Sequence, residues 1–130
     1  MKLNQDMKTK KILLVDDEAI VRRTCERMLT RMGYEVLDAS NGASAVSLYR
    51  RHWQSISLVL LDMIMPEMNG RATLEQLREV NPDARVILSS GYPEDDDINM
   101  LTRDHAIAFM RKPYCLQELI DTVHRVTITA

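Results

Sequence analysis

A shortage of cysteine, of charge excess and of long apolar runs removes several functional classes before any motif is read. Cys25 and Cys115 are the only cysteines, far apart and in unrelated contexts. They build no disulfide or thiolate metal framework and are expected to be buried or spectator thiols in a reducing compartment. Seventeen basic against nineteen acidic side chains leave a net charge of −2, which supports neither nonspecific nucleic-acid binding nor attraction to a membrane surface. No window approaches the roughly 18 uninterrupted apolar residues of a membrane span, and the N-terminus has no signal-peptide core. A cytoplasmic protein without membrane insertion is therefore expected. Its 130 residues are one ordinary domain, too few for two well-cored ones.

What the chain does have is alternation. After a polar, aperiodic stretch at 1–10, expected to be a flexible leader, short apolar runs alternate with longer amphipathic ones five times. The runs are 11–16, 34–39, 56–62, 84–90 and 106–111. The third and fourth are nearly continuous in Ile, Val and Leu, as central parallel strands covered on both faces are. Helical spacing links Val21, Cys25, Met28, Leu29 and Met32 in 18–32, with Gly33 as a natural stop. It also links Val46, Tyr49 and Trp53 in 43–53, Leu74, Leu77 and Val80 in 71–80, and Leu116, Leu119, Ile120 and Val123 in 115–126. The helix expected at 94–104 is the weakest, acidic at its start and with only Ile98, Met100 and Leu101 to bury. The pattern predicts an α/β fold, a doubly wound (βα)5 parallel sheet with helices on both faces over residues 11–127. No effector domain is expected in the chain. In such a sheet the functional crevice lies at the carboxyl ends of the strands.

The residues at those ends carry chemistry. Asp16 and Asp17 close the first run, Asp62 the third, Ser89 and Ser90 the fourth, and Lys112-Pro113 follows the fifth. Three carboxylates converging at one rim repel each other unless a cation sits among them. Hard oxygen donors suit Mg²⁺ better than Zn²⁺. Asp16 and Asp17 alone read equally well as caps of the following helix, but capping leaves Asp62 and Lys112 unexplained.

At this point the chain resembles the response-regulator receiver domains of two-component signalling. The residues that carry the resemblance are LVDDE at 14–18, DMIMPEMNG at 62–70, and Phe109 to Lys112 followed by Pro113. Ser90 lies 28 residues after Asp62, and Lys112 lies 22 after Ser90, as in the family. The resemblance implies the flavodoxin-like strand order 2-1-3-4-5. It implies that Asp62 is the phosphoacceptor, forming an acyl phosphate. Asp17, Asp62 and the backbone carbonyl of Ile64 would ligate Mg²⁺ directly, with Asp16 acting largely through water and Mn²⁺ able to substitute. Lys112 would pair with a phosphoryl oxygen, its bond to Pro113 cis so that the lysine aims into the site. Ser90 rather than Ser89 would donate its hydroxyl to the phosphoryl group, because Gly91 then falls where the family has a small residue. Such a domain catalyses only its own phosphorylation and slow dephosphorylation.

The resemblance also implies a switch. Ser90 would move toward the phosphate and Phe109 swing inward, shifting the surface of the fourth strand, the helix at 94–104 and the fifth strand. A phenylalanine there switches by packing alone; its plain alternative is an ordinary core residue. Ile64 and Tyr92 occupy positions flanking the phosphoryl group, where two bulky side chains are expected to obstruct an attacking water and lengthen its lifetime. Ile20, Thr24 and Tyr114 are expected to receive a histidine kinase or histidine phosphotransfer protein. Arg22, Arg23, Arg50 and Arg51 read as solvated surface. No direct nucleic-acid contact is expected, and the domain is expected to be a monomer or a weak phosphorylation-dependent dimer.

Two other classes are disfavoured by particular residues. An aspartyl-phosphate hydrolase typically has a second Asp two positions after its nucleophile, where Ile64 stands. A flavin-binding module of the same topology would need a Ser/Thr/Gly-rich phosphate loop where this chain has Asp16-Asp17-Glu18. SSGYPE at 89–94 and KPYCLQEL at 112–119 look more like receivers attached to hybrid sensor kinases than like DNA-binding regulators. Either a stand-alone receiver or a piece of a longer protein is compatible with them.

Overall fold

The computed structural model describes residues 10–65, 68–91, 103 and 107–128. Its elements run β1 (Lys11–Val15), α1 (Ala19–Arg31), β2 (Glu35–Ala39), α2 (Gly42–His52), β3 (Ile56–Asp62), α3 (Gly70–Val80), β4 (Val86–Ser90), β5 (Ile107–Arg111) and α4 (Leu116–Ile128). The helix expected at 94–104 falls, apart from residue 103, outside the described residues. All four strand pairings are parallel, and the strand order is β2-β1-β3-β4-β5. The parallel sheet read from the alternation, in the flavodoxin-like order that the resemblance implies, is what the chain forms.

Period-two alternation divides the apolar runs between two cores. Leu13, Val15, Val59, Leu61, Val86 and Leu88 face a cluster completed by Val46 and Tyr49 of α2 and Leu74 and Leu77 of α3. Ile12, Leu14, Leu58, Leu60 and Ile87 face the other side, where Cys25 and Leu29 of α1 and Leu119 and Val123 of α4 cover them. Each fully buried Leu, Ile or Val contributes about 1.5–3 kcal/mol through apolar burial, so strands without polar relief hold the centre of the sheet. Leu116 departs from the predicted helical face, being 46% exposed. The buried stripe of α4 runs through Leu119, Val123 and Val126, and Leu116, in the first turn, lies off its end.

Helix ends follow local chemistry. Asn41 and Asn69 accept the amides of Ser44 and Ala72 with their side chains and so cap α2 and α3. At the end of α1, Gly33 has φ 98°; its N–H donates to the Thr30 carbonyl and that of Tyr34 to the Leu29 carbonyl. This pair of bonds satisfies the last carbonyls of α1 and requires the left-handed conformation that glycine adopts without a Cβ clash. The connections from β1 and β3 leave in opposite directions, so a crevice opens at their carboxyl ends.

Candidate functional site

Asp16 is the first residue beyond β1 and is only 2% exposed. Its N–H donates to the Ala39 carbonyl, continuing the β1–β2 ladder. One carboxylate oxygen accepts the Glu18 N–H at 2.9 Å, and the other accepts the Lys112 ammonium at 2.8 Å. The capping reading is thus realised in part: Asp16 closes the turn into α1, while the N-cap position itself, Glu18, makes no side-chain cap. Asp17, the next residue, is exposed.

Asp62 ends β3 and is 4% exposed. Its Oδ1 accepts the Ile64 N–H at 3.2 Å, and its Oδ2 lies 3.4 Å from Lys112 Nζ. Burial pushes its carboxyl up to about 6, against the opposing pull of the Ile64 amide and the Lys112 charge. For Lys112, burial acts to lower the pKa, but the bonds and charges of Asp16 and Asp62 outweigh it and hold the ammonium above the ordinary lysine range. Carboxylate oxygens of Asp16, Asp17 and Asp62 all lie within 4.8 Å of one another. An oxygen-only donor set, two of its three carboxylates buried, fits a hard divalent cation of the Mg²⁺ class.

Backbone bonds bring Lys112 to this cluster. Its N–H donates to the Ser90 carbonyl at 2.8 Å, and its bond to Pro113 is cis. Ser89 and Ser90 are both buried. Asp62 is in register with Ser89, so these two side chains share a sheet face, while Ser90 stands one residue nearer the rim. Gly70 holds the other wall. A Cβ there would come within 2.5 Å of Met63 Cα and 2.8 Å of the Asp62 carbonyl oxygen, both backbone, so only glycine lets α3 begin this close to Asp62.

The remaining predicted residues are placed as follows. Ile64 is 55% exposed beside the Asp62 carboxylate. Phe109 is half-buried, in register with Leu88 and packed on the α2–α3 core. Tyr92 lies outside the described residues. Ile20, Thr24 and Tyr114 line one groove of about 400 Å³, with Val21, Met28 and Pro113. Ile20 is 77% exposed, whereas Tyr114 is half-buried. The hydroxyl of Tyr114 lies 2.9 Å from Cys25 Sγ, and burial raises the pKa of both groups. Cys25 is buried, as expected, and its contact with Tyr114 ties α1 to the loop after Pro113. Cys115 is exposed and free.

Two contributors escaped the sequence reading. Gly70 was visible only as the last letter of a motif. The sequence sets Arg22 among solvated arginines, yet its side chain is 18% exposed and donates to the Asp16 carbonyl at 2.7 Å. An arginine at helical spacing carries no sign of a bond to a loop carbonyl.

The site is thus an acidic pocket and a lysine at the switch point of a doubly wound parallel sheet. The chain belongs to the response regulator receiver domain family, whose model matches residues 12–124. It is 38% identical over 112 residues to the sensor kinase CckA of Brucella abortus, covering 86% of this chain and 12% of the kinase. It is 32% identical to the chemotaxis protein CheY of Bacillus subtilis, covering 88% of this chain and 95% of CheY. Among solved structures, the CheX–CheY–BeF3–Mg²⁺ complex from Borrelia burgdorferi contains a chain 28% identical, with TM-score 0.87 over 97% of this chain and 96% of that one. Receiver domains accept phosphoryl groups on an aspartate, bind Mg²⁺ at an acidic pocket and interact with histidine kinases or phosphotransfer proteins. Their role is signalling rather than enzymatic. Among the described residues, no helix is long and apolar enough to cross a membrane.

Proposed function

We propose that the chain takes a phosphoryl group from a phosphohistidine onto Asp62 in a two-component phosphorelay, and that the phosphorylated form presents a changed surface to a partner. The observation that carries this reading is the buried Asp62 carboxylate, 3.4 Å from Lys112 and within 4.8 Å of the oxygens of Asp16 and Asp17. A carboxylate oxygen of Asp62 attacks phosphorus; the O–P bond forms as the donor's P–N bond breaks, and the histidine nitrogen keeps the electron pair. Charge spreads over the three equatorial oxygens in such a transfer, so positioned cations lower the barrier. Mg²⁺ held by Asp17, Asp62 and the Ile64 carbonyl, with Asp16 behind a water, would supply one of them, and Mn²⁺ offers the same coordination. Lys112 supplies the other, already held by the Ser90 carbonyl and shared between Asp16 and Asp62.

The hydroxyl that meets the phosphoryl group is assigned to Ser90, at the rim end of β4. Its movement leaves space that Phe109 fills by packing, which shifts the fourth strand, the segment 94–104 and β5. Ile64, beside the carboxylate, and Tyr92 shield the acyl phosphate from water. The groove of Ile20, Thr24 and Tyr114 receives the donor helix, apolar contact being its main offer. A cytoplasmic domain spanning 11–127, monomeric or weakly dimeric once phosphorylated, completes the reading.

The direct test is phosphotransfer from a phosphorylated histidine phosphotransfer protein or kinase, followed on phosphate-affinity gels. Transfer in Mg²⁺ or Mn²⁺, abolished by EDTA and slowed by Ile20→Glu, is the expected result. Transfer indifferent to EDTA would overturn the metal-assisted mechanism.

A further inference from the structure

Asp16 is held at three groups, of which only the carbonyl belongs to the peptide unit it shares with Asp17. The Asp16 N–H is paired to Ala39 of β2 at 3.2 Å, and its carboxylate is held by the Glu18 amide and Lys112. The carbonyl, the third handle, accepts Arg22 Nη1 at 2.7 Å. Arg22 is itself braced: its Nε lies 3.3 Å from Asp38 Oδ2 on β2, so two donors of one rigid fork are fixed. A carbonyl oxygen and the next residue's Cα lie in the same peptide plane. Whatever sets the Asp16 carbonyl therefore sets the direction in which the Asp17 chain departs. Asp17 is exposed, with no packing to hold its side chain, so the backbone is what sets the point from which its carboxylate reaches toward the pocket.

We propose that Arg22 is a positioning residue for the acidic pocket: braced by Asp38, it fixes the Asp16–Asp17 peptide plane and aims Asp17 at the cation. The inference rests on the reading of Asp16, Asp17 and Asp62 as the Mg²⁺ pocket. Its distinctive content is a sign. Arg22 is a cation close to a site for a cation, so simple Coulomb repulsion predicts that removing it tightens Mg²⁺ binding. Positioning predicts the reverse, because groups that orient metal ligands typically matter by about 10- to 100-fold in metal affinity.

Calorimetric titration of MgCl₂ into the metal-stripped full chain, without any phosphodonor, decides between them. Arg22→Ala is expected to weaken Mg²⁺ about tenfold or more. Arg22→Lys keeps the charge without the fork and should fall between it and the wild type, which also serves if the alanine variant does not fold. Arg23→Ala, removing an exposed neighbouring charge, should not weaken binding. Mg²⁺ affinity unchanged or raised in Arg22→Ala, with the wild type binding saturably, would overturn the proposal alone. A wild type that shows no saturable Mg²⁺ binding would overturn the metal reading and this proposal with it.

Discussion

Lys112 is closer to Asp16 than to Asp62: its ammonium stands 2.8 Å from the first carboxylate and 3.4 Å from the second. In the metal-free domain the lysine thus offsets the mutual repulsion of two buried acids, and a divalent cation entering the pocket competes with it for Asp16. Lys112→Met is expected to lower metal-free stability by about 2 kcal/mol, less than the loss of a fully buried ion-pair partner, while tightening Mg²⁺ binding severalfold and slowing phosphoryl uptake. Urea unfolding with and without Mg²⁺ measures the first two. Equal stability and equal Mg²⁺ affinity would contradict this account of the pair.

Asp62 carries a stability that depends on pH. Its folded pKa, about 6, lies above the ordinary 3.8, so folding favours its protonated form. The contribution is complete below about pH 4 and is lost as pH rises through about 6. A shift of this size is worth roughly 2–3 kcal/mol. In EDTA, Asp62→Asn is therefore expected to unfold at higher urea than the wild type at pH 7, with the gap closing at pH 4. Mg²⁺ should stabilise the wild type more than the variant. An apo variant less stable than the wild type at pH 7 would refute the assignment of burial as the dominant cause.

Gly70 makes a prediction against the usual propensity. Ala in place of Gly within a helix ordinarily stabilises by up to about 1 kcal/mol. Here the new methyl meets the Met63 Cα and Asp62 carbonyl backbone at 2.5 and 2.8 Å, and backbone cannot swing aside. Gly70→Ala should lower the melting temperature and weaken Mg²⁺ binding, because the loop that must yield carries Asp62 to Ile64. A rise in melting temperature would count against the close approach.

The proposed role of Ile64 is to lengthen the lifetime of the acyl phosphate. The acyl phosphate on Asp62 should decay slowly, and Ile64→Asn, which trades an exposed apolar side chain for one that can orient water, should speed decay by about tenfold, or 1.4 kcal/mol of barrier. The decay of protein loaded with phosphoramidate, after removal of the donor, gives the rate. An unchanged half-life would remove Ile64 from the account.

Much of this architecture was legible in the chain, and for identifiable reasons. ISLVLLD at 56–62 announces a central strand because a strand covered on both faces has no use for alternation, and the carboxylate at its end then has one place to be. Asn41 and Asn69 cap their helices by chemistry that acts within three residues, a local signal that the reading of helical spacing did not use. What escaped depends on contacts that residue types do not announce. The bond between Cys25 and Tyr114 spans 89 residues, and the bond from Arg22 to a loop carbonyl uses a backbone acceptor that every residue possesses. Leu116 misled because helical spacing marks a face but not where the covering sheet ends.

The central claim is that Asp62 is the phosphoacceptor, and intact-protein mass spectrometry after incubation with acetyl phosphate tests it most directly. The account predicts that the wild type gains a single phosphoryl group in Mg²⁺, gains none in EDTA, and that Asp62→Asn gains none in either. A phosphoryl group that survives Asp62→Asn would contradict it.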